Sequence, residues 1–214
     1  MSPEVATVCL SADAPGAVDR AVDALQQGKV IAFPTDTVYG VGAHAFLPQA
    51  VARLYVVKER PAGMAIPLLL SGAEAMLLVC AEIPALAWEI AGRFWPGALS
   101  LVLRRAPAVP DIITAGGSTV AVRVPNSPLV RELCRRLDAP LAATSANRHG
   151  WPPPVTAGEV QAALAGRLPL VLDGGPCPGG VASTVLDLTL SPPAILRPGP
   201  VTAEQLASFI PLWP

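Results

Sequence analysis

The sequence predicts an α/β protein in which a mixed β-sheet is covered by helices. The chain has 214 residues, 52% of them hydrophobic, yet no apolar stretch approaches the roughly 20 residues that a membrane span needs. Its densest apolar segments, MAIPLLL and PLAAT, are strand-length and contain proline or polar residues. Strands buried on both faces carry such near-continuous apolar residues. Strand-like and helix-like segments alternate without strict regularity, which favours a mixed sheet.

Helical periodicity is clear from the first predicted helix onward. Residues 15–27 place Val18, Ala21 and Leu25 on one helical face, and Gly28 supplies a C-terminal stop. Proline opens two of the later helices, as its fixed φ angle allows in a first turn. Further helices are predicted at 48–57, 73–80, 84–94, 128–137, 156–165 and 202–210.

Short apolar runs between these helices predict the strands of the sheet. They are bounded by glycine, proline or polar residues, as strands usually are. The predicted strands are 29–33, 65–70, 99–104, 119–124, 140–144, 168–173, 183–189 and 194–197.

Nothing in the composition divides the chain, so we predict a single domain over residues 1–214. The proline-rich HGWPPPV is too short for a linker and is typical of a rigid loop. The N-terminal MSPEVATVCL has neither the basic nor the apolar region of a signal peptide, which favours a cytoplasmic protein without a membrane anchor. The four cysteines lie in separate segments without CxxC spacing, so we expect buried thiols and no metal site.

The net charge of −1 argues against a protein whose main task is to bind nucleic acid. Such proteins usually carry a large basic surplus. A small-molecule ligand is therefore favoured, although a local basic patch stays compatible with this charge.

Polar clusters recur where predicted elements end. Ligands of open α/β sheets tend to bind outside strand ends, so these clusters are expected to converge on one cleft. They are PTDT after strand 29–33, KERP with Lys58 and Arg60, TSAN at 144–147, GGVASTV with Ser183 and Thr184, and LRPG with Arg197.

The residue types in these clusters suit an oxyanion, most simply a phosphate. Arginine and lysine provide charge, threonine and serine provide neutral donors, and paired glycines let backbone N–H groups approach a ligand. Neither GxxxxGK[ST] nor GxGxxG is present, so a bound nucleotide would use another type of site.

Each cluster also has a structural interpretation when taken alone. Lys58 and Arg60 could complement a helix dipole, Thr35 and Asp36 could brace a turn, and TSAN could cap a helix. Ser145 has no general base nearby in sequence and is better explained as a donor than as a nucleophile. Their shared position at element ends favours a common site.

The motifs FPTDTVYGVG, KERP, FWPGALSLVL, VAVRVPNSP, ATSAN, GGVASTV and ILRPG stand in this order along the chain. In order and spacing the chain resembles the YrdC-like threonylcarbamoyl-AMP synthases, from about residue 15 to residue 208. Seven motifs in order make this resemblance highly specific.

The resemblance implies a YrdC-like twisted mixed sheet with a deep positively charged cleft. It also implies a nucleotidyltransferase that condenses L-threonine, bicarbonate or CO₂, and ATP into threonylcarbamoyl-AMP and pyrophosphate. A partner transferase would then move the threonylcarbamoyl group to the adenosine beside the anticodon of tRNA. Mg²⁺ would accompany ATP without being tightly held by the protein, so no metal ligands are expected.

The same resemblance implies roles for nine residues. Lys58 and Arg60 would act in catalysis and bind the nucleotide. L-Threonine would be bound by Thr35, Arg123 and Ser183, and the nucleotide also by Thr119, Ser145, Asn147 and Arg197.

Two departures from the family pattern leave alternatives open. Met64 stands where relatives often have lysine or asparagine, and IPLLLS lacks a histidine that some relatives carry. They keep a paralogue with low activity open as an alternative. A carbamoyl-adenylate-forming enzyme and an RNA-binding module are further alternatives, and a synthase could itself bind RNA weakly.

Overall fold

The strands come from the whole length of the chain. The structure is a computed structural model that describes residues 5–61 and 63–210, so both ends of the predicted domain 1–214 lie outside the described residues. The strands are β1 (Val8–Ser11), β2 (Ile31–Phe33), β3 (Gly40–His44), β4 (Leu68–Leu69), β5 (Cys80–Glu82), β6 (Leu99–Arg105), β7 (Thr119–Arg123), β8 (Leu141–Ser145), β9 (Leu170–Asp173), β10 (Thr184–Asp187) and β11 (Ala194–Arg197).

All eleven strands belong to one mixed sheet, as predicted. Its order is β1-β9-β2-β3-β8-β4-β7-β6-β10-β11, and β5 pairs with β6 outside this path. Parallel pairs such as β1 with β9 stand beside antiparallel pairs such as β6 with β7. Sequence neighbours are often distant in the sheet, which brings residues from separate motifs side by side.

In the described part of the chain, eight α-helices cover the sheet, and apolar residues fill both of its faces. One core cluster contains side chains of α1 and α6 against β2 and β8. The larger cluster, on the opposite face, contains side chains of the other long helices. The helices are α1 (Ala17–Gln26), α2 (Pro48–Lys58), α3 (Met76–Val79), α4 (Ala85–Phe94), α5 (Asp111–Thr114), α6 (Pro128–Leu137), α7 (Ala157–Leu164) and α8 (Ala203–Ala207).

Strand β3, which contains two glycines, was not predicted. Both glycines lie against the Phe33 ring of β2. A Cβ on Gly40 would lie 2.9 Å from Phe33 Cε2, and one on Gly42 would lie 3.1 Å from the same ring and from the Ala142 carbonyl oxygen. Glycine is therefore required by close packing within the sheet.

Other elements also differ from the prediction. Strands β1 and β5 and helix α5 are short and were not predicted. Only Leu68–Leu69 of the predicted strand 65–70 pairs in the sheet, and Pro67 beside it has no N–H to donate. The predicted helix 73–80 is a 3₁₀ turn, Ala73–Ala75, followed by the single turn α3.

None of the helices in the described part of the chain has both the length and the apolar composition that a bilayer span requires.

Candidate functional site

A cleft with a volume of about 350 Å³ lies on the same face of the sheet as α1 and α6. Those helices cover β2 and β8, and the cleft extends over β7, β6 and β10. Its floor is thus the face of the sheet, whereas the sequence predicted a site outside the strand ends. Six of the nine predicted residues line it: Thr35, Arg60, Arg123, Ser145, Ser183 and Arg197.

One wall is the polar turn that follows β2. The Thr35 hydroxyl donates to the Val38 carbonyl at 2.7 Å and lies 2.9 Å from the Thr37 hydroxyl. Its oxygen also accepts from the backbone N–H groups of Thr37 and Val38. Thr35 therefore braces the turn and also lines the cleft, and its binding of L-threonine stays a prediction.

Arg123 is held from three sides at the end of β7. Its Nε donates to the Gly97 carbonyl at 2.8 Å, Nη1 to Thr37 Oγ1 at 3.2 Å, and Nη2 to Asp36 Oδ1 at 2.6 Å. Burial lowers the pKa of Arg123, and the Asp36 carboxylate opposes that shift. Since a guanidinium has five N–H groups, the contacts of the described residues leave one on each Nη.

Arg197 and two serines form a second group on the cleft floor. Arg197 Nε and Nη2 both donate to the Ser183 carbonyl, at 3.0 and 2.7 Å. Ser183 Oγ lies 2.9 Å from Ser100 Oγ, and both serines are buried. Burial lowers the pKa of Arg197, and the positive charge of Arg123 lowers it further, so the two guanidinium groups share one environment.

Arg60 lies just beyond the end of α2. Its Nη2 donates to the Ala65 carbonyl at 2.8 Å, and its Nε lies 3.3 Å from the Met64 carbonyl. Among the described residues, no carboxylate pairs with Arg60 or Arg197. These two arginines are therefore the cations of the cleft that lack an ionic partner in the described chain.

Lys58 does not line the cleft, contrary to the expected direct contact with phosphate. Its side chain is buried, and its Nζ donates to the carbonyl oxygens of Ser145 and Asn147, at 2.5 and 2.8 Å, and to Asn147 Oδ1 at 3.1 Å. Burial, and secondarily Arg60, lower its pKa to about 8. Three acceptors match the three N–H groups of an ammonium, so Lys58 anchors the segment that carries Ser145.

Asn147 and Thr119 also stand apart from the cleft lining. Asn147 is buried and donates through Nδ2 to the Trp151 carbonyl at 2.5 Å. No helix begins at TSAN, because Ser145 ends β8 and a loop follows. Thr119 starts β7 and lies on the same face as Ala121, which lines the cleft. The structure thus places these two residues next to the site rather than in its wall.

The glycine-rich loop 174–180 packs against the polar turn. The Gly180 N–H donates to the Thr37 carbonyl at 2.7 Å, and a Cβ on Gly179 would meet the Asp36 carbonyl oxygen at 2.6 Å. The buried Tyr39 hydroxyl donates to the Gly175 carbonyl at 2.8 Å. This loop is therefore joined to the wall that holds Arg123.

The described residues offer little to a resident metal ion. No group of three or more histidine, cysteine, aspartate or glutamate side chains occurs among them in metal-binding proximity. Near the cleft, the Asp36 carboxylate is already paired with Arg123.

The chemistry available in the cleft is binding and orientation of anions. Its described lining holds three arginines and several hydroxyls, and neither histidine nor cysteine. His44 instead accepts the Phe46 N–H through Nδ1. An activated protein nucleophile would need an adjacent base, so the lining favours a reaction between bound substrates.

Two residues of the site escaped the sequence analysis. Asp36 was taken as a brace of its own turn, but its carboxylate pairs with Arg123, 87 positions away. Ser100 was not singled out, although a lone hydroxyl in the apolar run LSLVL is a signal of a polar contact. The sheet order, which places β6 between β7 and β10, brings Ser100 to Ser183, and the fold of the turn after β2 brings Asp36 to Arg123.

Comparisons with known proteins agree with this fold. The family model for Sua5, YciO and YrdC proteins, described as telomere recombination, matches residues 23–199. The threonylcarbamoyl-AMP synthase of Pyrococcus abyssi is 42% identical over 87% of this chain and 55% of its own length. That of Bacillus subtilis is 42% identical over 90% of this chain and 56% of its own length.

A solved structure, P. abyssi Sua5 complexed with L-threonine, is similar with a TM-score of 0.93 and 38% identity. The match covers 97% of this chain and 63% of that chain. The chain belongs to the Sua5/YciO/YrdC family. It spans a little over half the length of these two curated relatives.

Proposed function

We propose that this protein is a threonylcarbamoyl-AMP synthase, a nucleotidyltransferase that condenses L-threonine, bicarbonate or CO₂, and ATP. The observation that carries this proposal is a cleft in which Arg60, Arg123 and Arg197, from three separate motifs, converge with neutral hydroxyls. The similarity to a Sua5 protein crystallised with L-threonine supports it. The expected positive potential of the cleft follows from three arginines set against one carboxylate, that of Asp36.

The threonine carboxylate is assigned to Arg123. One N–H on each Nη remains beyond the contacts of the described residues, and a carboxylate can accept two parallel N–H groups from a guanidinium. Thr35 and Ser183, which line the same cleft, would contact the rest of the amino acid. Asp36 would fix the orientation of Arg123.

The phosphates of MgATP are assigned to the end of the cleft with Arg60 and Ser145, together with Arg197. Lys58, Asn147 and Thr119 would support this end from beside the lining. The Mg²⁺ ion would enter as part of the MgATP substrate, with the phosphates as its ligands.

Catalysis then consists of orientation and charge neutralisation. The threonine amine forms a carbamate, and a carbamate oxygen attacks the α-phosphorus as pyrophosphate leaves. Holding two anions together in reactive geometry lowers the barrier without a covalent enzyme intermediate. The product is a labile mixed anhydride, so a transferase that acylates tRNA would consume it in the cytoplasm.

Pyrophosphate release tests the reaction. The protein would be incubated with ATP, Mg²⁺ and bicarbonate, with either L-threonine or carbamoyl phosphate as the second substrate. Release that depends on both threonine and bicarbonate is the expected result. Release only with carbamoyl phosphate would favour a carbamoyl-adenylate-forming enzyme. Absence of turnover combined with tight RNA binding would favour the RNA-binding module.

A further inference from the structure

A single row of side chains crosses the floor of the cleft. Val185 of β10 pairs with Ser100 of β6 and with Arg197 of β11. Leu101 of β6 pairs with Val122 of β7. Because these strands are antiparallel, the same register places Ser100 opposite Arg123. Residues directly opposite on neighbouring strands face the same side. Arg123 and Arg197 therefore flank a serine and a valine, and all four residues line the cleft.

Ser100 and Ser183 form a hydroxyl pair between these arginines. Their oxygens are 2.9 Å apart, and either hydroxyl can donate to the other. One hydrogen is used in this contact, so the second hydroxyl hydrogen stays available for a ligand. Among the described residues, Ser100 Oγ contacts only Ser183, while Arg197 Nη2 lies 3.2 Å from Ser183 Oγ.

The charges around this pair favour an anion. Arg197 has no carboxylate partner among the described residues, and the carboxylate of Asp36 balances Arg123 alone. Arg197 Nε and Nη2 are bound to Ser183, while the contacts of the described chain leave Nη1 unused. A hydroxyl hydrogen of the buried serine pair and an unused guanidinium nitrogen of the exposed Arg197 are thus available to a small oxyanion at one place on the cleft floor.

We propose that the hydroxyls of Ser100 and Ser183 form the subsite for bicarbonate and then for the carbamate carboxylate, while Arg197 beside them faces both this group and the α-phosphate that the carbamate attacks. Ser100 is the new residue in this assignment, and it binds and orients that group. The assignment rests on the proposed function. If Arg123 binds the threonine carboxylate, the threonine amine lies two bonds from the carboxylate carbon. The neighbouring strand β6, which carries Ser100, lies about 4.8 Å from β7. Ser100 is therefore close to the group that becomes bonded to this amine.

The chemical balance is simple. A threonine ammonium and bicarbonate give a carbamate, one water and one proton, with the new N–C bond replacing a C–O bond. A carbamate oxygen then attacks the α-phosphorus of ATP and expels pyrophosphate. Hydroxyl and guanidinium donors at the subsite would keep this carboxylate planar and aimed at the phosphate.

Kinetics of three variants test the subsite in buffers depleted of CO₂. Ser100→Ala removes the hydroxyl, and Ser100→Thr keeps it. Val102→Ala is the matched control, because Val102 lies on the same face of β6 two residues further along. We expect Ser100→Ala to raise the KM for bicarbonate about tenfold or more, a loss of about 1.4 kcal/mol. Its KM values for ATP and threonine should stay within about threefold. Ser100→Thr should have a lower KM for bicarbonate than Ser100→Ala, and Val102→Ala should stay near the wild type.

Nitrate provides a second test on the unmodified protein, should Ser100→Ala fail to fold. This planar oxyanion should inhibit competitively against bicarbonate and not against ATP. Competition with ATP alone, or an equal rise of the KM for ATP in Ser100→Ala, would overturn the subsite and indicate a phosphate contact. An unchanged KM for bicarbonate would overturn it too, while leaving the synthase activity in place. Wild-type protein without threonine-dependent turnover would overturn both proposals.

Discussion

At the residue scale, Lys58 combines burial with a complete set of hydrogen bonds. Replacing it with methionine leaves the carbonyl oxygens of Ser145 and Asn147 without their donor. Unpartnered buried acceptors typically cost about 1–3 kcal/mol each. We expect Lys58→Met to lower the free energy of unfolding by about 2–4 kcal/mol in urea titrations. Lys29→Met, at an exposed lysine, should change it little, and equal effects of both changes would contradict the anchoring role.

The pH dependence of this difference has a definite sign. The pKa of Lys58 is about 8 in the folded protein, below the usual 10.5. Between these values the unfolded chain binds more protons, so the contribution of Lys58 to stability rises with pH. Urea titrations at about pH 7 and about pH 9.5 should show a larger gap between wild type and Lys58→Met at the higher pH. A constant gap would contradict the lowered pKa.

The two arginines without an ionic partner in the described chain are expected to act on turnover. Arg60→Ala and Arg197→Ala should each lower kcat/KM by about tenfold or more, because each removes a charge that faces the phosphates. Circular dichroism should show that both variants remain folded. Arg20→Ala, exposed on α1, is the matched control. Full activity of both cleft variants would mean that the phosphate site lies elsewhere.

Residue types were predictable from sequence, but contacts were not. The hydroxyls and arginines of the cleft stand out as polar groups at element ends. The inward position of Lys58 could not be predicted in this way. A lysine side chain near a helix end can extend into solvent or donate to a buried carbonyl, and the sequence allows both. Only the position of the Ser145–Asn147 segment beside α2 decides between these possibilities.

At the element scale, the loop 174–180 controls the turn that holds Arg123. Gly179→Ala would place a methyl group 2.6 Å from the Asp36 carbonyl oxygen and 3.0 Å from Thr37 Cα. Backbone atoms cannot move aside as a flexible side chain does, so the turn and the loop must separate. We expect the KM for threonine to rise about tenfold, with a smaller change for ATP, in steady-state assays.

Gly158→Ala is the control for this change, because a Cβ at Gly158 in α7 would meet nothing within 4 Å. It should leave both KM values unchanged and give a small gain in helix stability. An unchanged KM for threonine in Gly179→Ala would mean that the loop does not set the geometry of the turn.

Elements with a strong apolar period were predictable, and those shaped by packing were not. Helices α1, α2, α4, α6 and α7 lie close to their predicted positions, because each buries a continuous apolar face. Strand β3 was missed because its glycines accommodate Phe33, a neighbour on another strand. Strand β1 was missed because it lies at the sheet edge with most of its side chains exposed.

At the scale of the whole molecule, the charge balance distinguishes an enzyme with small substrates from an RNA-binding protein. The chain has 15 lysine and arginine residues against 16 aspartate and glutamate residues. Three of these basic residues, Arg60, Arg123 and Arg197, line the cleft that we propose to bind a nucleotide and an amino acid. We therefore expect RNA binding to be weak in fluorescence anisotropy titrations, because few phosphate contacts can form. Tight RNA binding with a steep salt dependence would contradict this expectation.

We propose that this cleft condenses ATP, L-threonine and bicarbonate to a mixed anhydride. The most direct test is mass spectrometry of a reaction containing ATP, Mg²⁺, L-threonine and ¹³C-bicarbonate. We expect a threonylcarbamoyl-AMP product that carries a single ¹³C atom, together with pyrophosphate. A product without the label, or formation of labelled product in the absence of threonine, would contradict it.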